Sequence, residues 1–395
     1  MRDAAAFVRE LVQIPSVNPM GRPADPVVAY EHRITRYLLD FFTALQVWSQ
    51  ELPVESMDGI TRSNVVARIP ARPADTQAPT VMLQAHQDTV PIVGMTVDPF
   101  AGELRDGKIF GRGACDIKGA LGMLLSIAER LVHDPPARHP HVVFAFTMNE
   151  ECGFTGATAL SRSLSEGTLW DGPLPDAIVV SEPTSLDVVV AHKGVIRWRC
   201  HTHGAAGHSS NPDAGVNAIY AMSTVVDQMG KLAQGPLSTV AANPLLGCPT
   251  LSVGTIQGGI SVNTIPDRCT IEIDRRTLPE EDPQEARQRI IETLATLDLG
   301  DASVTHDAPF MQSAGLSATG NQELATQIAE RSRAHGHAGE IVGAPYGTDA
   351  AAFARIGIPT VVFGPGHIAQ AHTKDEWVEV AQLDAAQTIL WDWLT

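Results

Sequence analysis

Residues 81–91 read VMLQAHQDTVP, an apolar run that ends in His86 and Asp88 and stops at Pro91. Side chains alternate faces along a strand, so His86 and Asp88 point the same way and can act on one object. Taken alone, the pair is weak evidence, since a surface histidine hydrogen-bonded to a nearby aspartate is the commoner arrangement; its surroundings have to decide. Downstream, ALGMLLSIAERLV (120–132) puts Leu124, Ile127 and Leu131 on one helical face, and HVVFAFTM (141–148) and DAIVVS (176–181) read as further strands. Apolar strands alternating with amphipathic helices predict an α/β domain, a mostly parallel sheet covered by helices on both faces.

From about residue 193 the rhythm changes. GVIRWRCHTHG (194–204) reads as a strand, and GVNAIYAMSTVVDQMGKL (215–232) as a helix with Ile219, Met222, Val226 and Met229 on one face. TLSVGTIQ (250–257) and RCTIEIDRR (268–276) are strands, PQEARQRIIETLATL (283–297) a helix and ASVTH (302–306) a strand. The order βαββαβ predicts a ferredoxin-like α+β domain inserted at 193–307. The first style then returns with the helix 321–336, the strand 359–364 and a closing helix in which Leu383, Ala386, Leu390 and Trp393 share a face. The α/β domain is therefore expected in two parts, 1–192 and 308–395.

With 395 residues, 44% of them hydrophobic, the chain can bury more than one core. A net charge of -17, from 28 basic and 45 acidic residues, argues against nucleic acid or anionic membrane as a partner. No run approaches the roughly 20 apolar residues of a membrane span, and MRDAAAFVRELVQIP at the start lacks a signal peptide's apolar segment. A cytoplasmic protein with a small-molecule or short-peptide partner is expected. Cys115, Cys152, Cys200, Cys248 and Cys269 are odd in number and never spaced as CxxC, which predicts free thiols.

Acids and histidines recur at the ends of these runs: His86 and Asp88, Asp116 in FGRGACDIKG, Glu150 and Glu151 in FAFTMNEECG, Glu182 in IVVSEPT, and His372 in AQAHTKDEW. Each has a plain reading. Asp116 suits a helix cap, Glu150 and Glu151 a solvated turn, Glu182 a surface acid and His372 a capping histidine. Open α/β sheets, however, bind ligands beyond the carboxyl ends of their strands. Five carboxylates gathered in one partly dry cleft would cost several kcal/mol, or take up protons, unless cations sat among them. Two divalent ions resolve the conflict. Other chemistries fit poorly: GHSSN lacks the final glycine of a GxSxG elbow, and GRGACD has Asp116 where a dinucleotide fingerprint needs its third glycine.

Taken in order, HQDTVP, GRGACDIKG, NEECGFTGA, SEPT, HKG, GAAGHSSNPDAGVNAI, DRRTLP and GPGHIAQAHTKDEWV resemble the motifs of the di-zinc hydrolase family that includes aminoacylases, acetylornithine deacetylases, succinyl-diaminopimelate desuccinylases and glutamate carboxypeptidases. The likeness runs from about residue 12 onward and is strongest to the acetylornithine deacetylase branch, an arginine-biosynthetic type. It implies a zinc-peptidase-like catalytic domain with a lid and dimerisation domain at 193–307. It also implies two metal ions, zinc or else cobalt or manganese, bridged by Asp116. His86 and Glu182 would complete one site, Glu151 and His372 the other, with a cis peptide after Asp116. Asp88 would orient His86, and Glu150 would act as general base. His208 would stabilise the oxyanion across a homodimer, Arg276 would grip the substrate carboxylate, and Asn263 is a further substrate contact or else a turn residue. The implied activity is removal of an acyl group, acetyl first, from an N-acyl amino acid. Desuccinylation, dipeptidase or carboxypeptidase action, and a non-catalytic binding protein are the alternatives.

Overall fold

The computed structural model describes residues 1–74, 77–169, 174–240 and 242–395. The chain clusters into two compact units, one of 1–190, 318–342 and 348–395, the other of 191–317 and 343–347.

The first unit is built on an eight-stranded sheet, in the order Trp48–Met57, Ile60–Ile69, His141–Thr147, Thr80–His86, Ala177–Val180, Thr360–Val362, Val188–His192 and Ile341–Ala344. The four strands at its centre, His141–Thr147 to Thr360–Val362, run parallel. Thr80–His86 and His141–Thr147 are buried along their whole length, as continuous apolar runs in a doubly covered sheet must be. An antiparallel hairpin, Trp48–Met57 with Ile60–Ile69, extends one edge. Helix Lys118–His133 buries all of its first twelve residues and packs against Ala4–Val12 and Val380–Leu394.

Register decides where the acids emerge. His86 pairs with Thr147, and Gln84 with Val180. Continuing the two outer strands from those pairs brings 150–151 and 182 out beside His86 at the carboxyl edge of the sheet. Parallel pairing thus concentrates residues separated by up to 96 positions at one place without any local signal for it.

In the second unit four antiparallel strands run in the order Thr250–Gly258, Arg268–Thr277, Gly194–His203 and Ser303–His306. Helices Ala218–Gln234 and Pro283–Ala295 close over Trp198, Cys200, Ile271 and Ile273. Asn217 and Asp282 cap these helices, each accepting from two backbone N–H groups of the first turn. The sequence places the unit's end at 307; Met311–Ser313 also pair with Gly194–His203, and the unit runs on to Ser317. One helix face differs from the expected stripe. Ala218, Ala221, Met222, Val225 and Met229 are buried while Ile219 is 38% exposed, because two stripes sharing Met222 and Met229 compete and the alanine side comes closer to the sheet. Among the described residues no helix is long and apolar enough to cross a membrane.

Candidate active site

His86, the last residue of Thr80–His86, is held by its own backbone surroundings: its Nδ1 lies 3.0 Å from the Asp88 carbonyl oxygen and 3.4 Å from that residue's Oδ1. With Nδ1 donating, Nε2 is the free electron pair. It faces Asp116 Oδ1 at 3.1 Å and Glu182 Oε1 at 3.7 Å. On the other side, His372 Nε2 faces Asp116 Oδ2 at 3.3 Å and Glu151 Oε2 at 3.2 Å. Asp116 therefore stands between two imidazoles, one oxygen to each, and each imidazole has one glutamate beside it. The Asp116–Ile117 peptide is cis.

The Asp88 carboxylate does more than face His86. Its Oδ1 accepts from the Glu150 N–H (3.0 Å), and its Oδ2 from the Glu151 N–H (3.3 Å) and Asn18 Nδ2 (2.8 Å). Asn18 Nδ2 also donates to Asn149 Oδ1 at 2.8 Å, and Asn149 donates to Thr155 Oγ1 at 2.9 Å. Asn149 adopts a left-handed backbone (φ 59°), which asparagine tolerates and which turns the chain sharply ahead of Glu150. One buried acid thus orders the turn that carries both glutamates.

Asp88, Asp116, Glu150, Glu151, Glu182 and Asp349 are all buried, with His372 half-exposed at the rim. Burial pushes Glu150 and Glu182 well above the usual carboxylate range and Glu151 to about 7. Burial acts the same way on Asp116, but hydrogen bonds from His372 and His86 outweigh it and hold this carboxyl well below the usual range. Burial would lower His372, yet Asp116 and Glu151 lift it to about 11. So many buried anions retain protons on any basic group near them, which is the behaviour of a site that binds cations.

The donor set fits a pair of divalent ions. His86, Asp116 and Glu151 offer ligand atoms within 4.8 Å of one another, and Glu151 Oε1 is buried with no hydrogen-bond partner, as a metal ligand's oxygen would be. Carboxylate oxygens and neutral imidazoles suit zinc, cobalt or manganese.

The remaining expected residues lie in the second unit. His208 is exposed, with Nδ1 2.7 Å from Ser210 Oγ, and pairs with Thr264 across a two-residue ladder. Asn263 is its neighbour there: the Ser209 N–H donates to the Asn263 carbonyl, while Asn263 Oδ1 accepts from Ser261 Oγ within its own turn. Arg276 lies near the end of strand Arg268–Thr277, where Nε and Nη2 bond Asp274 at 2.8 and 3.2 Å. Arg275 turns the opposite way, 2% exposed, onto Glu281.

Sequence reasoning passed over Asn18 and left Asp349 without a role. Asp349 Oδ2 accepts from Gln84 Nε2 (2.8 Å) and Thr147 Oγ1 (2.6 Å), beneath the strands that carry His86 and lead to Glu150. Thr348 is buried beside it, its hydroxyl accepting from the Ala350 N–H. From the sequence, PYGTDAAAF (345–353) is expected to line the pocket with no role assigned to Thr348 or Asp349, and Asn18 had no signal at all.

Residues 82–394 match the model of peptidase family M20/M25/M40. An acetylornithine deacetylase of Shigella sonnei is 31% identical over 380 residues, covering 94% of this chain and 91% of that protein. The fold is similar to an M20 family metallo-carboxypeptidase from Sulfolobus solfataricus, with a TM-score of 0.79 at 16% identity over 100% of this chain and 99% of that one. It is also similar to a tripeptidase from Staphylococcus aureus, with a TM-score of 0.77 at 23% identity over 99% and 96%.

Proposed function

Since this chain belongs to peptidase family M20/M25/M40 and is a metal-dependent amide hydrolase, we propose that it removes an acyl group, acetyl first, from an N-acyl amino acid. The observation that carries the reading is the Asp116 carboxylate shared between two imidazoles with Glu150 buried beside them. Two divalent ions held by His86, Asp116, Glu151, Glu182 and His372 would polarise the amide carbonyl and acidify the attacking water. Glu150 takes the water's proton and delivers it to the departing amine nitrogen. Asp88 keeps that carboxyl aimed by fixing its backbone N–H. Arg276, released from Asp274 or sharing it, pairs with the substrate carboxylate, and His208 supplies a donor to the developing oxyanion of a partner subunit's site in a homodimer formed through 193–307. Asn263, beside His208, is a second polar contact.

A peptidase reading stands second, favoured by the likeness of the fold to a tripeptidase and a metallo-carboxypeptidase. A non-catalytic binding protein would have no use for a buried Glu150. The test is a panel of acetyl, succinyl and longer acyl derivatives of ornithine, citrulline, glutamate, methionine and diaminopimelate, with dipeptides alongside. Each is run on metal-stripped protein with and without Zn²⁺ or Co²⁺. Metal-dependent release from one acetyl amino acid supports the proposal; turnover of dipeptides alone replaces it with the second reading.

A further inference from the structure

We propose that Glu376 is a positioning residue that fixes where Asp116 stands between the two imidazoles, an inference that rests on the metal-ligand reading of Asp116. Glu376 lies four residues after His372 and is fully buried. Its Oε2 accepts from Arg112 Nη1 at 2.5 Å and the Gly113 N–H at 3.0 Å, and its Oε1 from the Cys115 and Asp116 N–H groups, both at 3.0 Å. Its backbone carbonyl takes the Gly111 N–H as well. Residues 111–116 form turns, with neither a helix nor a strand to hold them, so one side chain supplies the acceptors that regular structure would otherwise provide.

Only a carboxylate suits this place. Four donors converge on two oxygens, and an amide would turn its own N–H₂ against two of them. The same short stretch, 372–376, carries His372 at one end and the cradle at the other. Glu376 therefore ties the Asp116 turn to the His372 turn. Since Asp116 faces both imidazoles, an error in its placement is felt on both sides of the ligand set, whereas loss of Glu182 or Glu151 is felt on one.

The experiment is Co²⁺ titration of the metal-stripped full chain, read by visible absorption and chelator competition. The unaltered chain should take up two Co²⁺. Glu376→Gln should bind both ions at least roughly tenfold more weakly, with a shifted absorption band, as loss of a group that orients ligands does. Glu376→Asp, charged but one methylene short, should fall between. Ile328→Ala, a core variant in helix Gln322–Ala334, should lower the melting midpoint yet keep the wild-type affinity and spectrum. Unchanged binding in Glu376→Gln, or equal loss in Ile328→Ala, overturns the proposal. Should the Glu376 variants not fold, hydrogen exchange on the unaltered metal-stripped chain decides. The Gly113, Cys115 and Asp116 amides should exchange at least about 100-fold slower than in an unstructured peptide. Exchange at the peptide rate overturns the cradle. No uptake of Co²⁺ by the unaltered chain would sink the metal reading instead, leaving the exchange result to judge the cradle.

Discussion

Glu150 has the environment a general base needs, a carboxyl lifted above its usual range by burial and held by its N–H on Asp88. Glu150→Gln keeps the shape and removes the proton acceptor. It should retain two metal ions per chain and lose about 10²- to 10⁴-fold in kcat, measured as metal content and amine release. A metal-loaded variant within tenfold of wild-type turnover would place the base elsewhere. Asp349 allows a test of charge alone. Burial raises its carboxyl to about 6, against an ordinary value of 3.8. Below about pH 3 the group is protonated in both states and has little effect on stability. As pH rises through 6 the unfolded chain has already released its proton, and the folded protein carries an ionised acid at a cost of about 3 kcal/mol by pH 8. Asp349→Asn removes that cost. In metal-free protein its stability relative to wild type should therefore rise from pH 4 to pH 8, read by urea unfolding at each pH. A difference that did not change with pH would mean that Asp349 is ionised in the folded state at low pH.

Between strand His141–Thr147 and helix Thr155–Ser165, the turn bearing both glutamates is shaped by a close approach at Gly156. A Cβ there would sit 2.3 Å from the Met148 carbonyl oxygen and 2.6 Å from Asn64 Oδ1. Asn64 is itself committed, accepting from the Met148 N–H and donating to the Gly156 carbonyl. Gly156→Ala must shift this backbone, and it should cost about 1–3 kcal/mol in thermal unfolding and about 100-fold in turnover. Gly230→Ala is the contrast: nothing lies within 4 Å of its Cβ position in helix Ala218–Gln234, and it should stabilise by about 0.5–1 kcal/mol. Equal effects at the two glycines would show that the Gly156 contact is not what shapes the turn. Such elements also mark what the sequence discloses. The strands were legible because continuous apolar runs and helical stripes are local patterns, and the acids were legible because they end those runs. Asn18 bonds Asp88 across 70 residues and Glu376 bonds Arg112 across 264, and no periodicity encodes a hydrogen bond over such a span. In helix Ala218–Gln234 the expected stripe fails only at Ile219: Met222 and Met229 are buried and Val226 packs partly buried against the same core, because two neighbouring apolar stripes of similar merit share the two methionines.

At the scale of the whole molecule, the proposed ligands and base lie in the first unit, and His208, Asn263 and Arg276 in the second. Each unit has its own core, so substitution at His208, exposed on a two-residue ladder, should leave folding intact while removing the proposed oxyanion donor, a loss of about 10²- to 10³-fold. Whether that donor serves its own chain or a partner is decided by complementation. Differently tagged His208→Ala and Glu150→Gln chains are co-expressed and the doubly tagged species purified. If His208 acts across a homodimer, one of the two sites in the hybrid has both Glu150 and a partner's His208 while the other has neither. Activity should then return to about half that of the wild-type dimer, although each parent variant is nearly silent. If His208 serves its own chain, every site in the hybrid lacks one of the two groups and no activity returns. Two-site recovery cannot arise by either route, so a hybrid as active as wild type would mean that the parent variants had lost activity through folding and that His208 had been assigned the wrong role.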